Sequence, residues 1–498
     1  MTPDHATTAE TYHQRGYDLH RAGQTEEAAA HYREAIRLKP DFTAAWTNLG
    51  LAGIILGELG EAERCQREAL RLDPDFADAH NNLGMVHYQL GRVAEAENCF
   101  RAALRLRPDY VNAMTNLAIA LHSIGRLNTA ETTYREALAA GADPLTTHSN
   151  LSVLLRETRR LDQAEAHARD ALAIDPDFPP AQVNLALALL LTERWTEAWP
   201  LYEARWQVGD LAHERRPFTQ PQWTGAEPIV GQVILLHAEQ GYGDTMQFCR
   251  YAPLVAARGA RVILEVQPAL ARLAATLDGV DQVVARGDHL PDFNFHCPLM
   301  SLPGAFGTTP ETVPAATPYM FADPDAMLAW RDKLADLPGR RVGLVWAGSA
   351  RARQPHALGL DRRRSMRLAD FAPLAAVEGC SFVSLQLGSA AAQLRSSPNG
   401  LVVHDLTDGL HDFADTAALV ANLDLVISVD TAVAHLAGAL GRPVWLLNRF
   451  DTCWRWLLDR DDTPWYPSLR QFRHPGGEAG WSRVMPRVRA ALTAFAED

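Results

Sequence analysis

The chain has 498 residues, 47% apolar and 21% charged, the make-up of a soluble globular protein with room for two to four domains. A formal charge of -13 argues against a general nucleic-acid binder, which needs a basic face. Six scattered cysteines without a CxxC pair argue against a zinc site, and no 18-residue apolar run offers a membrane span. The N-terminal run TPDHATTAETYHQRGYD is polar and unlike a signal peptide, so the expected compartment is the cytoplasm.

Asp41, Asp75, Asp109, Asp143 and Asp177 recur every 34 residues, four of them in a Pro-Asp-aromatic turn. Aligned on that turn, six units begin near Ala9, Asp41, Asp75, Asp109, Asp143 and Asp177. Most carry a Leu-small pair, as at Leu49-Gly50, Leu83-Gly84 and Leu117-Ala118. All carry an alanine (Ala28, Ala62, Ala96, Ala130, Ala164, Ala198), and an aromatic fills the gap at Tyr32, Phe100, Tyr134 and Tyr202. The pattern predicts helix pairs stacked over residues 9–206 into an α-solenoid with a concave groove. One further column, Asn48, Asn82, Asn116, Asn150 and Asn184, places carboxamides where they can bond the backbone of a bound polypeptide. The plain alternative is that these asparagines tie neighbouring helices together. The units resemble the tetratricopeptide repeat, and the asparagine column resembles the solenoid of protein O-linked N-acetylglucosamine transferases.

From 207 to 232 the helical period fails at Pro217, Pro221, Gly225, Pro228 and Gly231, predicting an irregular connector. Strand-helix alternation follows. Val233–His237, Arg261–Val266, Gln282–Ala285 and Phe293–Cys297 are expected strands of one Rossmann-like half over 233–325. Thr245–Arg258 is an expected helix. A second half over 340–478 opens with strands at Arg341–Trp346, Phe382–Gln386 and Val402–His404. It reaches Asp424–Asn448, a buried strand, a polar Asp430-Thr431 turn, a small-residue helix stopped by Gly441, and a second buried strand. An amphipathic helix within 479–498 closes the chain, with Val484, Val488, Leu492 and Phe495 on one face.

Three constellations carry chemistry. The Gly241-x-Gly243-Asp244 turn joins a strand to a helix, with glycines that let backbone approach a ligand. Six arginines (Arg351, Arg353, Arg362, Arg363, Arg364, Arg367) crowd the loop after the strand ending VGLVWAGS; Ser349, Arg364 and Ser365 are the candidate phosphate ligands, with His356 a possible partner. Asp430-Thr431-x-x-x-His435 sets a polar turn and a histidine on one helix face, at an edge suited to anions. Trp454, Trp456, Trp465 and Tyr466 are expected to pack the closing helix or to wall an acceptor site. Asp459-Arg460-Asp461 mimics a metal-binding Asp-x-Asp but reads as a loop.

Together, VILLHAEQGYGDTMQFCRYAPL, VGLVWAGS, DFADTAAL and LDLVISVDTAVAHLAGALGRPVWLL resemble bacterial tetratricopeptide-fused glycosyltransferases, whose catalytic region is similar to heptosyltransferases of the two-Rossmann (GT-B) class. The resemblance implies a metal-independent transferase without a resident cofactor, taking a nucleotide-sugar as co-substrate. It implies Asp244 as the base for an acceptor hydroxyl, with Glu239 the alternate base. Gly241, Gly243, Ser349, Arg364, Ser365, Asp430, Thr431 and His435 become the donor-binding residues. A Ser or Thr of a polypeptide docked in the solenoid, flagellin-like surface proteins among them, becomes the acceptor. Two other readings remain open: a non-catalytic interaction scaffold, and a transferase acting on lipopolysaccharide or another glycan.

Overall fold

The structure, a computed structural model, describes residues 8–209, 211–348, 355–398, 400–476 and 480–497, with backbone only at 355–358 and 360. Twelve helices open the described chain in six pairs: Ala9–Arg21 with Thr25–Leu38, Thr43–Ile55 with Leu59–Leu72, Ala77–Gln89 with Val93–Leu106, Val111–Ser123 with Leu127–Ala139, Pro144–Glu157 with Leu161–Ile174, and Pro179–Leu191 with Trp195–Tyr202. The 34-residue period is therefore one helical hairpin. Its alanine column is fully buried in every unit, since only a methyl group fits where the paired helices touch. A Cβ at Gly16 or Gly84 would come within 2.8 Å of the rings of Tyr32 or Phe100, which explains the small residue facing each aromatic. The turn inside each hairpin needs a left-handed residue. Glycine supplies it at Gly23, Gly57, Gly91 and Gly125, whereas Arg159 (φ 61) and Glu193 (φ 62) adopt it in the last two units.

Ten parallel strands follow. The first sheet holds β1 (Val233–His237), β2 (Arg261–Val266), β3 (Gln282–Ala285) and β4 (Phe295–Pro298), in the order β3-β2-β1-β4. The second holds β5 (Arg340–Val345), β6 (Cys380–Ser384), β7 (Val403–Asp405), β8 (Leu425–Val429), β9 (Val444–Asn448) and β10 (Leu469–Arg473), in the order β10-β9-β8-β5-β6-β7. Each order reverses direction once, between β1 and β4 and between β5 and β8, as in doubly wound nucleotide-binding sheets. β8 and β9 are buried at every residue, as their unbroken apolar runs predict. The closing helix spans Gly480–Glu497 and buries Val484, Val488 and Leu492 against β5, β8 and β9.

Three elements differ from expectation. The helix expected over 245–258 is broken into Tyr242–Phe248, a tight turn at Cys249–Tyr251 and Ala252–Ala256, because Pro253 cannot donate to the carbonyl of Cys249. β10 escaped notice because Leu-Arg-Gln-Phe-Arg reads as polar; buried Gln471 is satisfied by the carbonyls of Trp456 (2.9 Å) and Asp462 (2.6 Å). Finally, the chain divides into two compact units at Leu154/Leu155, not at 206 where the repeats end. The reason is aromatic. Trp195 of the last hairpin stacks on Trp465 (5.6 Å, 20°) and meets Trp454 edge-on, as Trp199 does. Trp454 and Trp465 thus pack the solenoid's end, not the closing helix, while Trp456 packs on His435 and Tyr466.

Candidate functional site

The crevice at the β5/β8 reversal is where a doubly wound sheet binds ligand. Gly348, just past β5, donates its N–H to Ser365 Oγ (3.1 Å). Arg364 lies against Gly348, with Nη1 donating to the Asp430 carbonyl (3.4 Å) and Nη2 paired with Asp361 (2.6 Å). Thr431 is the N-cap residue of the helix Ala432–Ala439, but its hydroxyl bonds Ser428 Oγ (3.0 Å) and caps no N–H. Arg364, Ser365, Asp430 and Thr431 are therefore brought together. Ser349, Arg351 and Arg353 lie outside the described residues, as does the side chain of His356. The remaining arginines disperse: Arg363 bridges Asp451 and Glu157 (2.9 Å each), Arg367 pairs with Asp370, and Arg362 is exposed. Arg362, Arg363 and Arg364 stand in the last turn of a helix, Pro355–Arg364, where a loop was expected, and of these three Arg364 alone faces the crevice.

His435 is 5% exposed, and its Nδ1 meets the Tyr466 hydroxyl at 3.0 Å while the ring lies 5.1 Å from Trp456. Burial pushes its pKa down to about 4, against the pull of Asp430. A neutral, enclosed imidazole suits a packing role better than a phosphate contact, so the expected donor contact is not the one its geometry favours. Across the seam, a Cβ on Gly243 would come within 2.7 Å of His435 Cδ2 and 3.5 Å of Ala432. Gly243 is therefore glycine to let the two halves touch, whereas Gly241 is exposed and open to a ligand.

Asp244 is doubly engaged. Oδ2 accepts the Gly241 N–H (3.1 Å), making it the cap of its own helix, and Oδ1 accepts from Arg455 Nη2 (2.6 Å). Burial opposes the charge of Arg455, yet the Asp244 carboxylate holds its pKa above the ordinary arginine value. Glu239, the alternate base, is 1% exposed and wholly committed: both oxygens accept from Arg205 (2.8 Å each), and Oε1 also accepts the Met300 N–H (3.0 Å). At 1% exposure, a carboxylate spanned by a bidentate guanidinium is closed to a substrate. Glu239 is corrected to a structural partner of the solenoid's last turn.

The asparagine column falls partly in a groove of about 610 Å³ lined by Asn48, Asn82 and Asn116 together with Asn81, Thr47 and Thr115. Asn150 and Asn184 do not line it. Asn48 Nδ2 meets His13 Nε2 and Asn116 Nδ2 donates to Asn81 Oδ1, both at 2.9 Å and both reaching the preceding repeat. Each such bond uses one of a carboxamide's donors, so holding helices and binding a backbone are compatible.

Comparison with known proteins adds two family matches. Residues 3–197 match the C-terminal domain of cilia and flagella-associated protein 70, a tetratricopeptide-repeat model, and residues 409–447 match glycosyltransferase family 9 (heptosyltransferase). The chain joins a tetratricopeptide-like solenoid to a heptosyltransferase-like α/β region. Protein FlbA of Caulobacter vibrioides is 27% identical over 326 residues, covering 60% of this chain and 52% of that protein, so the chain spans about half the length of the curated relative it matches. Among solved structures, a thermophilic tetratricopeptide-repeat protein of Thermus thermophilus is 22% identical, covering 37% of this chain and 100% of that one (TM-score 0.34). PilF of Pseudomonas aeruginosa is 18% identical, covering 41% and 95% (TM-score 0.37).

The heptosyltransferase match takes in Asp430, Thr431 and His435 but neither Asp244 nor Arg364. Sequence reasoning missed two residues that the structure puts beside the seam. Arg455 stands between Trp454 and Trp456, and a charge inside so aromatic a run was a readable signal of a buried ion pair. Arg205 follows the last hairpin, and nothing local marks its partner 34 residues away. No described helix is long and apolar enough to cross a membrane.

Proposed function

We propose that the chain is a GT-B glycosyltransferase that works without a resident metal or cofactor. It would move a sugar from a nucleotide-sugar to a Ser or Thr hydroxyl of a polypeptide held on the solenoid. The observation that carries the reading is the convergence on one seam of the β5/β8 crevice, with Arg364, Asp430 and Thr431, and the Gly241–Asp244 turn of the other sheet. In this reading the donor diphosphate lies over the second sheet, where Arg364 and Ser365 offer charge and a hydroxyl. The exposed Gly241 leaves room for the reacting groups, and Asp244 is the carboxylate nearest the acceptor side. The groove lined by Asn48, Asn82 and Asn116 supports a polypeptide acceptor, for which flagellin-like surface proteins are one class.

One observation favours a second reading, a scaffold that no longer turns over. Both candidate bases, Asp244 and Glu239, are ion-paired to arginines. The test uses the whole chain. A panel of nucleotide-sugars is screened by thermal shift, and a co-expressed Ser/Thr-rich polypeptide is weighed by intact-mass spectrometry. A donor that raises the melting temperature and a mass increment of one sugar support transfer; a donor that binds without any increment supports the scaffold. If no donor shifts the melting temperature, the transferase reading fails.

A further inference from the structure

The Asp244–Arg455 pair poses a conflict for any role of Asp244 in chemistry. The Arg455 side chain is 9% exposed and lies 4.6 Å from the Trp454 ring. Its other polar neighbours are soft: Cys453 Sγ at 3.1 Å from Nη1 and Met300 Sδ at 3.8 Å from Nη2. Its Nε is buried without a hydrogen-bond partner. Asp244 is thus the one carboxylate in contact with this cation among the described residues. A buried guanidinium stripped of its counter-ion is strongly unfavourable, so Asp244 cannot act as a free base unless another anion takes its place. That anion must arrive at the seam, where Asp430, Asp244 and Arg455 all act electrostatically on His435.

We propose that Arg455 is a ligand-binding residue that exchanges Asp244 for the diphosphate of the donor. The proposal rests on the glycosyltransferase reading and deepens it. Arriving diphosphate takes the Nη2 donor now given to Asp244, and the vacant Nε provides a second donor in the planar fork that suits a phosphate. Asp244 keeps its cap bond to Gly241 but loses its charge partner. It is then free to take the acceptor hydroxyl's proton as the new carbon–oxygen bond forms at the sugar. The bond to diphosphate breaks with its electron pair, leaving the added charge on the phosphate that Arg455 holds. The base would be released only when a leaving group is in place, so donor binds before acceptor reacts.

The test measures binding of inorganic pyrophosphate and of uridine, cytidine, guanosine and adenosine diphosphates to the full chain by calorimetry and thermal shift. Wild type is expected to bind pyrophosphate and at least one nucleotide. Arg455→Gln is expected to bind on the order of ten- to a hundredfold more weakly, the size of a charge-assisted contact. Asp244→Asn is the deciding variant: with the competing carboxylate removed, diphosphate is expected to bind on the order of tenfold more tightly. A structural ion pair gives the opposite sign, because its loss loosens the seam. Arg455→Lys keeps the charge without the fork; it is expected to melt near wild type and bind with intermediate affinity, so a folding defect in the glutamine variant does not decide the matter. Wild-type affinity in both Arg455 variants, or weaker binding in Asp244→Asn, overturns the exchange and leaves the donor reading standing. Failure of the wild type to bind any of these probes overturns the donor reading, and the exchange with it.

Discussion

The two sheets reverse direction in the same way but treat the reversal point oppositely. At β1/β4 the crevice is closed from inside: Glu239, just past β1, is locked to Arg205 of the solenoid's last turn, with Glu203 and Ser301 completing the network. At β5/β8 it is lined by half-exposed groups, Arg364, Ser365, Asp430 and Thr431. One topology thus takes two forms, an anchor for the repeats in the first sheet and an open, half-exposed polar edge in the second. The contrast explains why an acidic strand end is a poor guide to catalysis here. Glu239 holds the repeats to the first sheet.

The largest effect should come from breaking the anchor outright. A chain beginning at 207 loses Trp195, Trp199 and Arg205 together and is expected to show no cooperative thermal transition, whereas one beginning at Pro144 melts cooperatively. Calorimetry distinguishes the two. On a finer scale, Arg205→Ala leaves the 1%-exposed Glu239 without its cation and is expected to cost about 3–5 kcal/mol in urea unfolding. A cost below about 1 kcal/mol would mean the crevice is not closed by this pair.

Each half also hides a neutral histidine, and acid sharpens the comparison. His435 has its pKa lowered by burial from 6.5 to about 4, so between those values the unfolded chain binds a proton that the folded chain refuses. The contribution of His435 is full above about pH 6.5, falls as pH drops through the window, and levels off below about 4. His237, buried 3.3 Å from His296, is also held well below the ordinary value, by burial and then by its neighbour's charge. His435→Gln is therefore expected to flatten the decline without abolishing it. Urea midpoints at pH 7, 6, 5 and 4 measure this, and an unchanged slope in the variant would show that His435 is open to protonation in the fold.

At the open crevice the balance of effects should invert. Arg364 is 22% exposed but its partner Asp361 only 6%, so Arg364→Gln is expected to cost about 1–3 kcal/mol, less than Arg205→Ala, whose pair is buried on both sides. Diphosphate affinity should fall on the order of tenfold. If its stability cost matched that of Arg205→Ala, the two crevices would not differ in kind.

How much of this could be read from sequence follows from how local each cause is. The hairpins were legible because the alanine column and the turn repeat in one frame, and β8 and β9 because both are buried on two faces. The Asp430-Thr431 turn, the Gly441 stop and the Val484–Leu492 face emerged where expected for the same reason. What escaped depends on partners distant in the chain. Asp244 meets Arg455 across 211 positions, Trp195 meets Trp465, and Gly243 is small because His435 leans on it. The unit boundary at Leu154 escaped too, because the repeat pattern runs past it while packing on the sheets decides where the compact unit begins.

The smallest effect concerns the solenoid's hold on the second sheet. Arg159 occupies the left-handed turn that glycine fills in the first four hairpins, at a cost of about 1 kcal/mol for a residue with a Cβ. It gains an ion pair with Asp459 (2.5 Å) and a place 5.3 Å from the Phe450 ring. Asp459 is 83% exposed, however, so the pair is worth no more than about 1 kcal/mol and is screened by salt. Arg159→Gly removes the strain and the contact together and is expected to shift stability by less than about 0.5 kcal/mol at physiological salt. In low salt the balance should tip toward destabilisation, as the ion pair strengthens while the backbone strain stays constant. A loss comparable to that of Arg205→Ala would show that the fifth hairpin anchors the second sheet as firmly as the sixth anchors the first.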